Sequence, residues 1–222
     1  MQIVLTAATP FEIAPALQWL EKTFPAPEKG VFKNENLEIF PLITGVGMTA
    51  TAWRLGQFFA RNRPGMALNA GIAGAFDRAV RIGDVFNVAT ERFGDLGVEE
   101  ADGRFTDLFE LGLAEPDAAP WSGGVLQNPA EFAFLPSAHG LTVNKVHGTQ
   151  SSISAIRLKY PDAELESMEG AAFFCACLHA GVPFVEIRSV SNYVEPRNRE
   201  AWNLPLAIDN LNRTLIDMIE SF

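Results

Sequence analysis

Positive charge, sulfur and long apolar runs are what this chain has least of. Lysine and arginine number 17 against 27 acidic residues, a formal net charge of -10 over 222 residues. That balance repels phosphate backbones and anionic lipid at long range, so it argues against nucleic acid and against a membrane surface as partners. A small anionic substrate stays possible, because a local arginine fork outweighs a distant field once contacts are short. No stretch is apolar for the length that a bilayer crossing needs. The N-terminus has no basic flank and its apolar run breaks at Thr9-Pro10, which reads as a first strand of a cytoplasmic protein rather than a targeting segment. The two cysteines, Cys175 and Cys177, are two apart on an expected helix, where they face different directions and form no ordinary disulfide. His139, His147 and His179 add no metal-ligand spacing to them, so no metal is expected.

What is present is ordinary globular material. With 48% hydrophobic and 20% charged residues, the length suits one large α/β domain over residues 1–222 and is short for two. Strand-like runs at 3–7, 37–44, 66–70, 84–90, 141–146, 165–168 and 184–190 alternate with helical patterns at 11–22, 48–61, 152–160, 169–179 and 206–222. This order predicts an α/β fold with a mixed central β-sheet flanked by helices. The last helix shows an apolar stripe at Leu211, Leu215, Met218 and Ile219. Strand 184–190 is expected to lie beside strand 165–168, so that both end at the carboxyl edge where ligands bind. Between 101 and 139 the signal decays into Asp, Gly, Pro and Ala, a long excursion of the kind that is often functional.

Several clusters place polar residues at the ends of these runs, and each has a plain structural explanation. Glu166-Ser167-Met168-Glu169-Gly170-Ala171-Ala172 sets Glu169 at the mouth of a small-residue helix with no Lys or Arg adjacent, and acids in a first turn gain roughly 0.3–1 kcal/mol from the helix dipole. Thr9-Pro10-Phe11-Glu12 is a capping box with Pro at the first helical position. Arg188-Ser189-Val190-Ser191-Asn192 ends a strand, where Asn is a common cap or turn residue. Arg197 and Arg199 lie in a polar loop, 195–203, where solvation accounts for them. Gly45-Val46-Gly47-Met48-Thr49-Ala50 formally matches a dinucleotide-binding turn. It is not on the first strand and no acid ends the next one, so a nicotinamide-dependent dehydrogenase stands as a second reading.

The two carboxyl-edge clusters, with Asn69-Ala70-Gly71-Ile72-Ala73-Gly74 and Gly45-Val46-Gly47-Met48, resemble the nucleoside phosphorylase and nucleosidase superfamily along most of the chain. The run Asn192-Tyr193-Val194-Glu195-Pro196-Arg197-Asn198 is most similar to its futalosine hydrolase branch, relatives of the methylthioadenosine/S-adenosylhomocysteine nucleosidases that release hypoxanthine during menaquinone synthesis. The resemblance implies a cofactor-free hydrolase of a small purine nucleoside, assembled as a homodimer or higher homo-oligomer. It implies that Glu12 is the general base toward water, that Glu169 accepts hydrogen bonds from the ribose hydroxyls and favours positive charge on the sugar, and that Met168 packs on the sugar face. Ala73, Gly74 and Ser191 become neighbours of the base. Gln150, in the Gly148-Thr149-Gln150-Ser151 turn, stands where relatives place a purine-stacking aromatic. The region 101–139 would border the site and the subunit interface.

Two departures from the family pattern carry expectations of their own. Ala7-Ala8-Thr9-Pro10 lacks the arginine of the phosphorylases' phosphate turn, which favours water as nucleophile. At Asn192 the adenine-releasing nucleosidases keep an aspartate that protonates the imidazole ring of the purine. An amide supplies no proton, but its carbonyl can accept from a protonated ring nitrogen while its amino group donates to a 6-oxo oxygen, a pattern that suits hypoxanthine. The source of the leaving-group proton is left open. Arg197 or Arg199 is expected to pair with the benzoate carboxylate at the far end of such a substrate. A general purine nucleosidase, a phosphorylase and a non-catalytic nucleoside-binding module are the remaining alternatives.

Overall fold

The computed structural model describes residues 1–25, 30–130 and 134–222. In chain order the elements are β1 (Gln2–Ala7), α1 (Pro10–Thr23), β2 (Phe32–Lys33), β3 (Glu38–Ile43), α2 (Met48–Phe59), β4 (Met66–Ala75), β5 (Val85–Phe93), β6 (Gly97–Glu99) and β7 (Phe105–Asp107). There follow β8 (Trp121–Ser122), β9 (Val125–Gln127), β10 (Ser137–Thr142), α3 (Gln150–Lys159), β11 (Leu165–Ser167), α4 (Gly170–Ala180), β12 (Phe184–Tyr193) and α5 (Leu204–Glu220). The α/β alternation is the one the hydrophobic pattern predicts, and the central sheet is mixed.

Its topology differs from the expected side-by-side placement of strands 165–168 and 184–190. β12 lies between β4, to which it is parallel, and β5, to which it is antiparallel. β11 lies instead between β10 and the far end of β4. The reason is which edges are free. β1 occupies one edge of β4 from Met66 to Asn69, so β11 can attach on that side only beyond it, at Gly74 and Ala75. Since β10 also pairs with β5, the strands β4, β12, β5, β10 and β11 close into a circuit.

β1 shows how the layers are built. Ile3 and Leu5 point to one face, where they meet Ile13 and Leu20 of α1 and Leu211 and Leu215 of α5. Val4 points to the other, among Leu55 and Phe59 of α2 and Phe173 and Phe174 of α4, as the two-residue period of a strand requires. The expected stripe on α5 is buried at all four positions. Cys177 packs in this second core and Cys175 is part-exposed, both as free thiols. No helix among the described residues is long and apolar enough to cross a membrane.

Three boundaries move in a way that matters. β4 and β12 run past their expected ends at 70 and 190, because they continue to pair through Gly74 and Asn192. The strand expected at 141–146 is instead Ser137–Thr142. Its first four residues, Ser-Ala-His-Gly, include no large apolar side chain, and a side chain at Gly140 would fall 2.3 Å from the Glu91 carboxylate. Small size there serves a buried acid rather than a turn. Within the 101–139 excursion, β9 pairs with β5 and β8 with β9; residues 131–133 lie outside the described residues.

Candidate active site

The centre of the site is a charge the sequence reading passed over. Arg188, in mid-strand β12, is 1% exposed. Its Nε donates to Glu186 Oε1 at 2.8 Å, and the other Glu186 oxygen accepts from Asn69 Nδ2 at 3.2 Å, whose Oδ1 accepts from Thr6 Oγ1 at 3.1 Å. Burial opposes the guanidinium charge, and Glu186, Glu169, Glu12 and Glu91 together outweigh it, holding the group above its ordinary range. A buried arginine with one partner would be costly, and the surrounding carboxylates are what keep it charged. The signal was available: a Glu-x-Arg pair at i, i+2 points both charges to one face of a strand that is otherwise apolar.

Glu12 is both cap and site residue. Its Oε2 accepts from the Thr9 N–H at 2.9 Å and from Thr9 Oγ1 at 3.0 Å, which is the capping box the sequence predicts. Oε1 is turned the other way, accepting from the Ile72 N–H at 3.3 Å, beside Gly71 and the Arg188 guanidinium. The turn that carries Glu12 is held from α5: Asn212, 1% exposed, donates Nδ2 to the Glu12 carbonyl at 2.8 Å and accepts at Oδ1 from the Ala16 N–H at 3.0 Å.

Glu169 occupies the N-cap position of α4 without a side-chain bond to the helix and is buried. Its Oε1 accepts from the Gly47 N–H at 2.9 Å, so the glycine turn after β3 gives an amide to a carboxylate of its own chain. Burial raises the Glu169 pKa, the Arg188 charge and the Gly47 N–H lower it, and Glu12 and Glu186 raise it again, with the net shift upward. Half-buried Met168 stands immediately before it, between β11 and α4. The neutralising charge that the local sequence lacks is Arg188, delivered by β12.

Behind these groups Glu91 is fully buried. One oxygen accepts from Thr142 Oγ1 at 2.8 Å and the other has no hydrogen-bond partner. Burial, then the Glu186 charge, push this carboxyl well above the usual range. Its protonated form is therefore favoured over that of an exposed carboxyl.

A second part of the site forms where β12 carries an irregularity between Val190 and Asn192. Such a bulge re-aims side chains. Ser191 Oγ lies 3.3 Å from the Ala73 carbonyl and 2.8 Å from Asn192 Oδ1, while Asn192 Nδ2 donates to the Tyr193 carbonyl at 2.9 Å. A flipped amide would set two oxygens face to face, so the orientation is pinned. Gly74 leaves the room: a Cβ there would sit 3.1 Å from Asn192 Nδ2. Ala73, Gly74, Ser191 and Asn192 are thus brought together. Of these, Gly74 and Asn192 line a small cavity of about 60 Å³ together with Arg197, whose guanidinium lies 5.4 Å from the Trp202 ring centroid. Arg199 is exposed in a short 3-10 turn, Arg199–Ala201. Gln150 is exposed at the start of α3, bonded to Ser154 Oγ at 3.2 Å; Val146 and His147 line the cavity in its stead.

Set beside known proteins, residues 2–220 match the phosphorylase superfamily. A futalosine hydrolase from Acidothermus cellulolyticus is 36% identical over 174 residues, 77% of this chain and 70% of the relative. One from Thermus thermophilus is 33% identical over 177 residues, 78% of each. The native structure of futalosine hydrolase from Helicobacter pylori shares the fold, with a TM-score of 0.80 at 17% identity, over 100% of this chain and 98% of that one.

Proposed function

Because the chain belongs to the phosphorylase superfamily, within it to the futalosine hydrolases, and is a nucleosidase, we propose that it hydrolyses the N-ribosidic bond of futalosine. The products are hypoxanthine and dehypoxanthine futalosine, in the service of menaquinone biosynthesis. The observation that carries the choice of base is the pinned amide of Asn192. With one N–H and one lone pair left over, it matches a 6-oxopurine that offers an oxo acceptor and a ring N–H donor. A 6-amino group would meet the amide donor instead, and a buried mismatch of this kind discriminates strongly.

In this reading Glu12 uses Oε1 as general base toward water while Oε2 stays on the helix cap. Glu169 holds the ribose hydroxyls and Met168 packs on the sugar. The electrostatics support a cationic sugar: Glu186, Glu169 and Glu12 gather around the single buried cation Arg188, and carboxylates preorganised beside a developing positive charge favour the oxocarbenium-like transition state. Nothing in this mechanism calls for a cofactor or for phosphate.

Two copies of the chain form the working unit in this proposal. An apolar groove of about 750 Å³ between α2 and α4 opens beside Met48 and Thr49, next to the Gly47–Glu169 contact, and Trp53 on α2 is 66% exposed. Sedimentation of the purified chain tests this; a monomer at micromolar concentration refutes it. The activity is tested by chromatography after incubation, without phosphate, with futalosine, inosine and methylthioadenosine separately. Hypoxanthine from futalosine alone is the expected result. Adenine from methylthioadenosine overturns the Asn192 argument.

A further inference from the structure

One proton is missing from the mechanism above. The bond to a 6-oxopurine breaks with its electron pair passing to the base, and Asn192 has no dissociable proton to give. The cavity beside Asn192 contains a group that has one. Gly74 of β4 pairs with Asn192 of β12 on one side and with Glu166 of β11 on the other, so at about 4.8 Å per strand the two side chains flank a gap roughly 10 Å across. Glu166, whose side chain is 3% exposed, turns both oxygens to one residue. Oε2 accepts from the His147 N–H at 3.0 Å and Oε1 lies 2.5 Å from His147 Nδ1.

With Nδ1 and the backbone both held, the imidazole cannot turn away, and Nε2 is the nitrogen left for the cavity that His147 lines. The other ionisable groups around that space are otherwise engaged. Glu195 pairs with Arg78, Tyr193 donates its hydroxyl to the Val80 carbonyl at 2.9 Å, and Arg197 lies over Trp202. The loop that carries His147 is tied at both ends, by the Asn144 N–H on Asp95 at 2.6 Å and by the Arg197 N–H on the Gly148 carbonyl at 3.1 Å. A carboxylate that orients an imidazole in this way is an arrangement for general acid–base catalysis, and the ring serves as the acid when it carries both protons.

We propose that His147, held by Glu166, is the catalytic acid that protonates the departing purine; the inference rests on reading this chain as a 6-oxopurine nucleosidase. The step requires an imidazole with a proton on each nitrogen: as C1′–N9 breaks, its electron pair goes to the purine and the Nε2 proton passes to a purine ring nitrogen. The oxygen of water bonds to C1′ and its proton passes to Glu12. Glu12 then returns a proton to solvent and His147 takes one back, so one water is consumed and charge balances. Glu166 is a positioning residue.

The test compares two leaving groups on the full-length chain. Futalosine releases a base that needs a proton, whereas p-nitrophenyl riboside releases a phenolate that needs none. H147Q, which keeps a donor for Glu166, lowers kcat on futalosine by about 10²–10³-fold with KM changed by at most about threefold, and hydrolysis of the nitrophenyl riboside falls by no more than about threefold. E166Q, close in shape to the parent, shifts the same ratio in the same direction by a smaller factor. Equal losses on both substrates in both variants overturn the proposal, as does full activity on futalosine. If the parent cleaves inosine and not futalosine, the substrate reading fails, and the acid is judged on the inosine to nitrophenyl riboside ratio.

Discussion

Replacing Gly71 by alanine tests the claim that the buried arginine is locked in place. Gly71 of β4 stands opposite Arg188 of β12, and a methyl there would lie 1.8 Å from Arg188 Nη1, 3.1 Å from Cζ and 3.1 Å from Glu12 Oε1. Non-bonded heavy atoms settle near 3.5 Å, so the guanidinium must retreat by roughly 1.5 Å. It has little room to do so, being 1% exposed and tied to Glu186 at 2.8 Å. Removing a glycine from a strand interior by itself gains roughly 0.5–1 kcal/mol. Overpacking costs about 1–3 kcal/mol, and a buried ion pair that breaks costs about 3–5 kcal/mol. Net of the propensity gain, overpacking alone leaves about 0–2.5 kcal/mol and a broken pair about 2–4.5 kcal/mol; because the 1.8 Å approach displaces the guanidinium from Glu186, Gly71→Ala loses about 2–4.5 kcal/mol in urea unfolding. Because the methyl also presses on Glu12, kcat/KM falls at least about tenfold. A variant as stable and as active as the parent would show that the guanidinium moves freely, and the account of the site's centre would be wrong.

The other predictions concern the neighbouring groups. Glu91 binds its proton more tightly folded than unfolded, so its contribution to stability is complete below the unfolded value of about 4.3 and is lost as pH rises through the raised folded value. Unfolding curves of the parent and Glu91→Gln should therefore shift in favour of the variant as pH increases through that window; a difference independent of pH would contradict the assignment. Asn192→Asp should move the ratio of 6-amino to 6-oxo nucleoside cleavage toward 6-amino by about 10- to 100-fold, the worth of one buried polar mismatch. An unchanged ratio in competition assays would remove Asn192 from base recognition. Asn212→Leu takes away the clamp on the Glu12 turn and should cost about 1–3 kcal/mol in chemical denaturation, with lower kcat; loss of stability with full kcat would make the clamp purely structural.

Features set by near neighbours in the chain are legible in the sequence. The capping box at Thr9 and Glu12 depends on residues within one turn, and the apolar stripe of α5 on a 3.6-residue period. Strand Ser137–Thr142 was misplaced because Gly140 is small for the sake of Glu91, a reason that lies on another strand. The place of His147 is not legible in the sequence, since nothing nearby in the chain indicates that Glu166 receives both of its donors.

The sequence by itself determined the alternation of strands and helices, the family through its glycine and Met-Glu motifs, and the chemical types available to the site. The tertiary structure alone decided that β12 would run between β4 and β5, and so that Arg188 would be the counter-charge of Glu169 and Glu12. Periodicity records which face of an element is buried, a property of each segment alone. Which segment lies next to it depends on the edges left free once the other strands have paired, and that is a property of the whole chain.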